Sequence, residues 1–68
     1  MKINSVIGIY GYTLLVYRSA DLLYRFGIID SSGIAFNFDS IFLTAEEANI
    51  KGREAVKVAF DFDRHPQY

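Results

Sequence analysis

The chain is predicted to fold as an α+β domain in which an antiparallel sheet of three to four strands is packed by one C-terminal helix, βββα or ββββα. Three observations predict it. From Tyr12 to Leu43 the chain is rich in β-branched and aromatic residues and is interrupted twice by short polar turns, at Ser19-Ala20-Asp21 and Asp30-Ser31-Ser32-Gly33. Thr44 is followed three positions later by Glu47, the spacing of a capping box. Beyond it, Ala45, Ala48, Gly52, Ala55, Val56 and Ala59 recur at helical spacing, a seam of small residues that lets a helix lie close to a sheet.

The elements follow in chain order. Ile3 to Tyr10 reads as a possible fourth strand at one edge, with Gly8 as a bulge or bend. Strand one spans about Tyr12 to Tyr17, with Leu14 and Val16 assigned to the core. Strand two carries Leu22, Tyr24, Phe26 and Ile28 on its apolar face, and strand three carries Ile34, Phe36 and Phe38. Asp30 and Gly33 fit a type I turn closed by a glycine bulge, because glycine takes positive φ there without penalty. That turn sets Asp30 opposite Ile34, Ile28 opposite Phe36 and Phe26 opposite Phe38. On the reverse face it sets Gly27 opposite Asn37 and Arg25 opposite Asp39, an expected cross-strand ion pair. The helix is expected to run from Thr44 to about Phe60, with Glu46 and Glu47 at the favourable end of its dipole and Glu47 paired to Lys51. Ile50 stands among Glu46, Glu54 and Lys57 with no core to join. Residues 1–60 form the expected domain, and 61–68, which contain the only proline, are expected to be a flexible tail.

Composition narrows the function. A chain of 68 residues makes one domain and buries only about 60% of its unfolded surface, so its stability is marginal. Half of it is hydrophobic (51%), which argues against a disordered tail. The absence of cysteine removes disulfides and thiolate metal sites and favours a reducing, cytoplasmic compartment. A net charge of -1 lacks the basic footprint of a non-specific nucleic-acid binder. The uncharged stretch from Ile3 to Tyr17 is shorter than the ~20 apolar residues that span a bilayer. No small-x-small cleavage site follows Lys2, so a signal peptide is not expected.

No constellation of catalytic residues emerges. Asp61, Asp63 and His65 have metal-ligand chemistry but would sit in the tail without a rigid frame, so no metal site is assigned. His65, the sole histidine, lies next to Pro66 and makes a poor general base. Glu46 and Glu47 serve the helix start. Gly8-Ile9-Tyr10-Gly11 precedes a strand and lacks a phosphate-loop lysine, so it reads as a bend. No catalytic residue, cofactor or enzymatic activity is expected.

Phe42-Leu43-Thr44-Ala45-Glu46-Glu47-Ala48, after a three-stranded sheet, resembles the sheet-to-helix junction of the plant ethylene-response-factor DNA-binding domain. That family is understood to read DNA with arginines and tryptophans on its sheet. This chain has no tryptophan and offers Arg18 and Arg25 alone on its strands, so the resemblance stops at the junction. The wider layout, a three-stranded sheet followed by a Thr-Ala-Glu-Glu-Ala helix with a central glycine, is similar to small uncharacterised bacterial domains and implies no activity.

What remains is surface. One helix covers one face of a sheet, which leaves Leu15, Tyr17, Leu23, Ile29 and Ala35 beside Arg25 on the other. The expected function is a non-enzymatic protein-interaction module, a homodimer or small accessory subunit, with Leu15, Tyr17, Leu23, Arg25 and Ile29 at the interface and Ile50 as a second contact. One alternative is that Ile3 to Tyr10 folds over this face and the protein is a monomer. Another is a nucleic-acid-binding domain that uses Tyr17, Arg25 and Asn37 on the same face.

Overall fold

The computed structural model describes residues 2–64. It contains a four-stranded antiparallel sheet, β1 (Lys2–Ile9), β2 (Tyr12–Arg18), β3 (Tyr24–Ile29) and β4 (Ala35–Asn37), in the order β1-β2-β3-β4, followed by one helix, α1 (Ala45–Arg64). The ββββα form of the expected fold is therefore the one adopted.

Three hairpins build the sheet. The first turns at Tyr10 and Gly11, both at positive φ (53° and 83°), between the paired Ile9 and Tyr12. Two central residues in this region make the mirror-image turn whose twist matches that of the strands. Tyr10 occupies a position that favours asparagine or glycine, and its ring stacks on Phe60 at 4.5 Å. The bulge in β1 falls between Ile3 and Ser5; Gly8, expected to be the irregular residue, pairs regularly with Thr13.

The second and third turns are the same device. Gly33 N–H donates to the Asp30 carbonyl (3.0 Å) and Asp30 N–H to the Ile34 carbonyl (2.9 Å); Leu22 N–H donates to the Ser19 carbonyl (3.0 Å) and Ser19 N–H to the Leu23 carbonyl (2.9 Å). Leu22 thus holds the left-handed position that Gly33 holds in the other turn, with φ 65°. This corrects its expected place in the core: Leu22 is 68% exposed. A β-carbon costs roughly 1–2 kcal/mol in this region. Leu22→Gly is accordingly expected to stabilise the protein by about 1 kcal/mol after the added flexibility of the unfolded chain is counted, read as a higher urea midpoint.

The core lies between the sheet and α1. Leu14, Val16, Phe26 and Ile28 from β2 and β3 meet Ala48 and Val56, with Tyr12 at one end. Leu14 and Val16 face inward as expected, and both are fully buried. Gly52 is buried against Leu14 and Phe26, so the small-residue seam sits where its spacing placed it. Thr44 Oγ1 accepts the Glu47 N–H (3.1 Å) and caps the helix. Lys51 pairs with Glu54 (3.5 Å) instead of Glu47.

Two expectations about the far edge are corrected. Ile28 does face Phe36 and Gly27 does face Asn37, but the ladder ends there. A regular continuation would set Tyr24 opposite Ser40; Phe42 takes that place, bonded both ways to Tyr24 at 2.8 and 2.9 Å. The surplus chain carries Asp39 out of register, so it does not pair with Arg25. It also lets the Phe38 and Phe42 rings pack on Phe26. The second correction concerns coverage. The helix rests on β2 and β3, touches β1 lightly and makes no contact with β4. Phe36 and Phe38, expected in the core, are consequently 48% and 36% exposed, and Ile34 is exposed as well.

The helix also runs four residues past Phe60, to Arg64, so the first part of the expected tail is helical. Lys57 pairs with Asp61 (3.5 Å), and the Tyr12 hydroxyl donates to the Asp63 carboxylate, which ties this last turn to β2. The remainder of the expected tail, 65–68 with His65 and Pro66, lies outside the described residues.

Candidate interaction face and the acidic groove

Strand alternation decides which side chains share the uncovered side of the sheet. Because Leu14 and Val16 face the helix, Thr13, Leu15 and Tyr17 face away from it. The pairings Leu15 with Gly27, Tyr17 with Arg25 and Thr13 with Ile29 extend this row across β3. On the other side, Val6 pairs with Leu15 and Ile3 with Tyr17. The N-terminal strand therefore widens the open face instead of folding over it, and Ile3 and Val6 add apolar surface that sequence reasoning did not assign. Val6 is 59% exposed. A cross-strand register was needed to find them, and nothing in the segment itself specifies one.

Of the expected interface residues, Leu15, Tyr17, Arg25 and Ile29 lie together on this face. Leu23 sits at its end, beside the Ser19 turn. Ile50 lies on the exposed side of the helix, in the opposite layer, and is exposed. Any contact it makes is separate from one made by the sheet.

Arg25 is the one charged side chain of the face's central rows, and it is already partnered. Its Nη2 lies 3.6 Å from Asp21 and its Nε donates to Ser19 Oγ at 3.2 Å. The Ser19 hydroxyl, then the Leu23 N–H and the Arg25 charge, hold the Asp21 carboxyl below its ordinary value. Arg18, the other strand arginine, pairs with Lys2 and Tyr24 and so belongs to the helix side. The open face is apolar with one neutralised ion pair near its rim.

On the helix side, the gap between α1 and β4 is a groove of about 500 Å³. Its walls are Ile28, Phe36, Phe38, Val58 and Phe62, and its polar end is formed by Tyr12, Asp30 and Asp63. Thr13 pairs with Ile29, so the next position sets Tyr12 beside Asp30 across the strands. The hydrogen bond to Asp63, followed by burial and the charges of Asp63 and Asp30, pushes the Tyr12 phenol up to about 12. A tyrosine in the unfolded chain ionises near pH ~10. The protonated phenol is thus favoured by the fold: the stability it contributes is complete below pH ~10 and is lost as the pH rises toward the folded value. Wild-type protein is therefore expected to lose more stability between pH 9 and pH 12 than Tyr12→Phe, measured by urea unfolding at each pH. Equal losses would detach the phenol from the fold's alkaline limit.

Among the described residues, no three His, Asp or Glu side chains come together as a metal-binding group, and no helix is long and apolar enough to cross a membrane. No protein-family model matches the chain, and no curated protein or solved structure matches it.

Proposed function

We propose that the chain is a non-enzymatic, cytoplasmic protein-interaction module that works as a homodimer, with the open sheet faces of two copies packed on each other. The observation that carries this reading is the apolar row of exposed Ile3 and Val6 with half-buried Leu15, Tyr17 and Ile29, which no described element of the chain covers. The chain exposes 4812 Å², against about 4,300 Å² for a typical folded monomer of its mass.

Area and charge both favour a second copy as the occupant. Four strands spaced ~4.8 Å apart and about six residues long make a footprint of roughly 400 Å² per copy. Two such faces bury about 1,000 Å² once side-chain relief is counted, the lower edge of a specific interface, which suits a micromolar dimer. With Arg25 held by Asp21, two identical faces meet without uncompensated like charges. Sheets pack face to face at ~10 Å with both helices outside.

The test is light scattering coupled to size exclusion over a wide concentration range. The mass is expected to rise from 7.7 kDa toward twice that value, insensitive to salt. Val6→Lys and Leu15→Lys are expected to weaken the dimer at least about tenfold with the circular dichroism unchanged. A mass of 7.7 kDa at every concentration, or an undiminished Val6→Lys dimer, would refute the reading. The nucleic-acid alternative requires Arg25 to release Asp21 and Ser19, and steep salt dependence of binding would be its mark.

A further inference from the structure

A groove on the side of the sheet away from the proposed dimer face has the construction of a ligand site. Its volume, about 500 Å³, falls within the range that encloses small molecules. It exists because the helix seam is small and the helix axis lies over β2 and β3, which leaves the Phe36 and Phe38 side chains of the β4 edge without a lid. Val58 and Phe62 face them from the helix and are 69% and 61% exposed. A soluble protein gains nothing in stability from holding four large apolar side chains around open water.

The polar groups are confined to one end and have one sign. The Asp30 carboxylate uses Oδ1 to accept the Ser32 N–H (2.9 Å), the Ser32 hydroxyl (2.7 Å) and the Ile34 N–H (2.9 Å), which anchors it rigidly. Asp63 uses Oδ2 to accept the Tyr12 hydroxyl. In both cases the hydrogen bonds described engage one carboxylate oxygen. No lysine or arginine lines the groove among the described residues, and Lys57, one helical turn before Asp61, pairs with that residue. Charge complementarity therefore selects the occupant: an apolar body along Phe36, Phe38, Val58 and Phe62, and a cation at the Asp30 and Asp63 end.

We propose that this groove binds a small apolar molecule, aromatic or aliphatic, that carries a protonated amine at one end. The phenyl walls accept its body by burial, the two carboxylates orient its ammonium group, and an anionic analogue is rejected by the same charges.

Nuclear magnetic resonance titration of the full chain at pH 7 with three matched probes, 2-naphthylmethylamine, 2-naphthylmethanol and 2-naphthoate, tests this. The amine is expected to shift the amides of Phe36, Phe38, Ala55, Val58 and Phe62 and to bind at least about tenfold more tightly than the carboxylate, with the alcohol between them. Asp63→Asn keeps an acceptor for Tyr12 and is expected to reduce the preference for amine over alcohol about threefold or more. Val58→Arg, at an exposed helical position, is expected to abolish binding of all three with the fold intact. Equal affinity for amine and carboxylate, shifts confined to the open sheet face, or no binding would overturn the proposal. So would groove amides that move with protein concentration alone, since that result assigns the groove to a second copy. Val6→Lys run in parallel separates this outcome from failure of the dimer reading, because it alters the other face only.

Discussion

Leu14→Ala is expected to lower the stability by about 3–4 kcal/mol, whereas Leu15→Ala, one residue along the same strand, is expected to leave the monomer close to its full stability. Leu14 is fully buried, in contact with the Gly52 backbone and close to Phe26. Truncation there removes buried methyl groups and leaves a cavity that the close-packed helix is poorly placed to fill, at a cost of about 3–4 kcal/mol. A domain of this length has a total stability of roughly 3–10 kcal/mol, so that loss takes from about a third of it to all of it. Leu15 points to the open side and pairs with Gly27, where truncation removes half-exposed surface only. Far-ultraviolet circular dichroism and urea unfolding at low concentration, where dimer formation does not contribute, distinguish the two. If Leu15→Ala destabilises the monomer as much as Leu14→Ala does, the assignment of faces is wrong.

Gly52→Leu carries the second large effect. A β-carbon at Gly52 would lie 2.5 Å from Leu14 Cδ1, 3.1 Å from Leu14 Cδ2 and 3.3 Å from Phe26 Cγ. Alanine at this position gains about 1 kcal/mol of helix propensity and loses about 1–3 kcal/mol to overpacking, so a modest net loss is expected. Leucine has no room at all. It is expected to cost more than about 3 kcal/mol by lifting the helix from β2 and β3, with a lower urea midpoint and an increase in exposed apolar surface seen by dye binding. A stabilising Gly52→Ala would mean that Leu14 has space to yield and that the glycine does not set the helix height.

The two substitutions mark how far local sequence reaches. Gly52 was legible as a contact residue because small side chains recur at helical spacing around it, and periodicity survives whatever tertiary structure follows. Period two alone offers two apolar sides of β2, Leu14 with Val16 and Leu15 with Tyr17; the preferred first pair is the one that the structure buries. The Asp30 turn was legible because Gly33 stands at its left-handed position. Its twin at Ser19 was not, because Leu22 stands there, and a residue that tolerates the conformation at a cost leaves no signal of it. That is why the alternation of strand two places Leu22 in the core while the structure holds it on the surface.

The site was legible in part. Leu15, Tyr17, Arg25 and Ile29 follow from alternation once Leu14 is placed inside. Ile3 and Val6 do not, since their face depends on the bulge between Ile3 and Ser5 and on pairing with a strand across a turn that contains Tyr10. The Asp39 pairing failed because the chain from Phe38 to Ile41 leaves the ladder, and no residue in it announces the departure. Tyr12 and Asp63 are 51 positions apart, and their contact required a helix one turn longer than its residues alone suggested.

Sequence by itself determined the types of the central elements, the capped helix start, the seam that meets the sheet and the inward side of β3. These depend on properties that neighbouring residues express together: periodicity, turn conformation and capping. Tertiary structure alone decided that β1 adds to the sheet edge, that the helix leaves β4 uncovered and that two carboxylates converge on Tyr12. Each of these depends on where a rigid element comes to rest over distant parts of the chain, and that is set by packing in three dimensions.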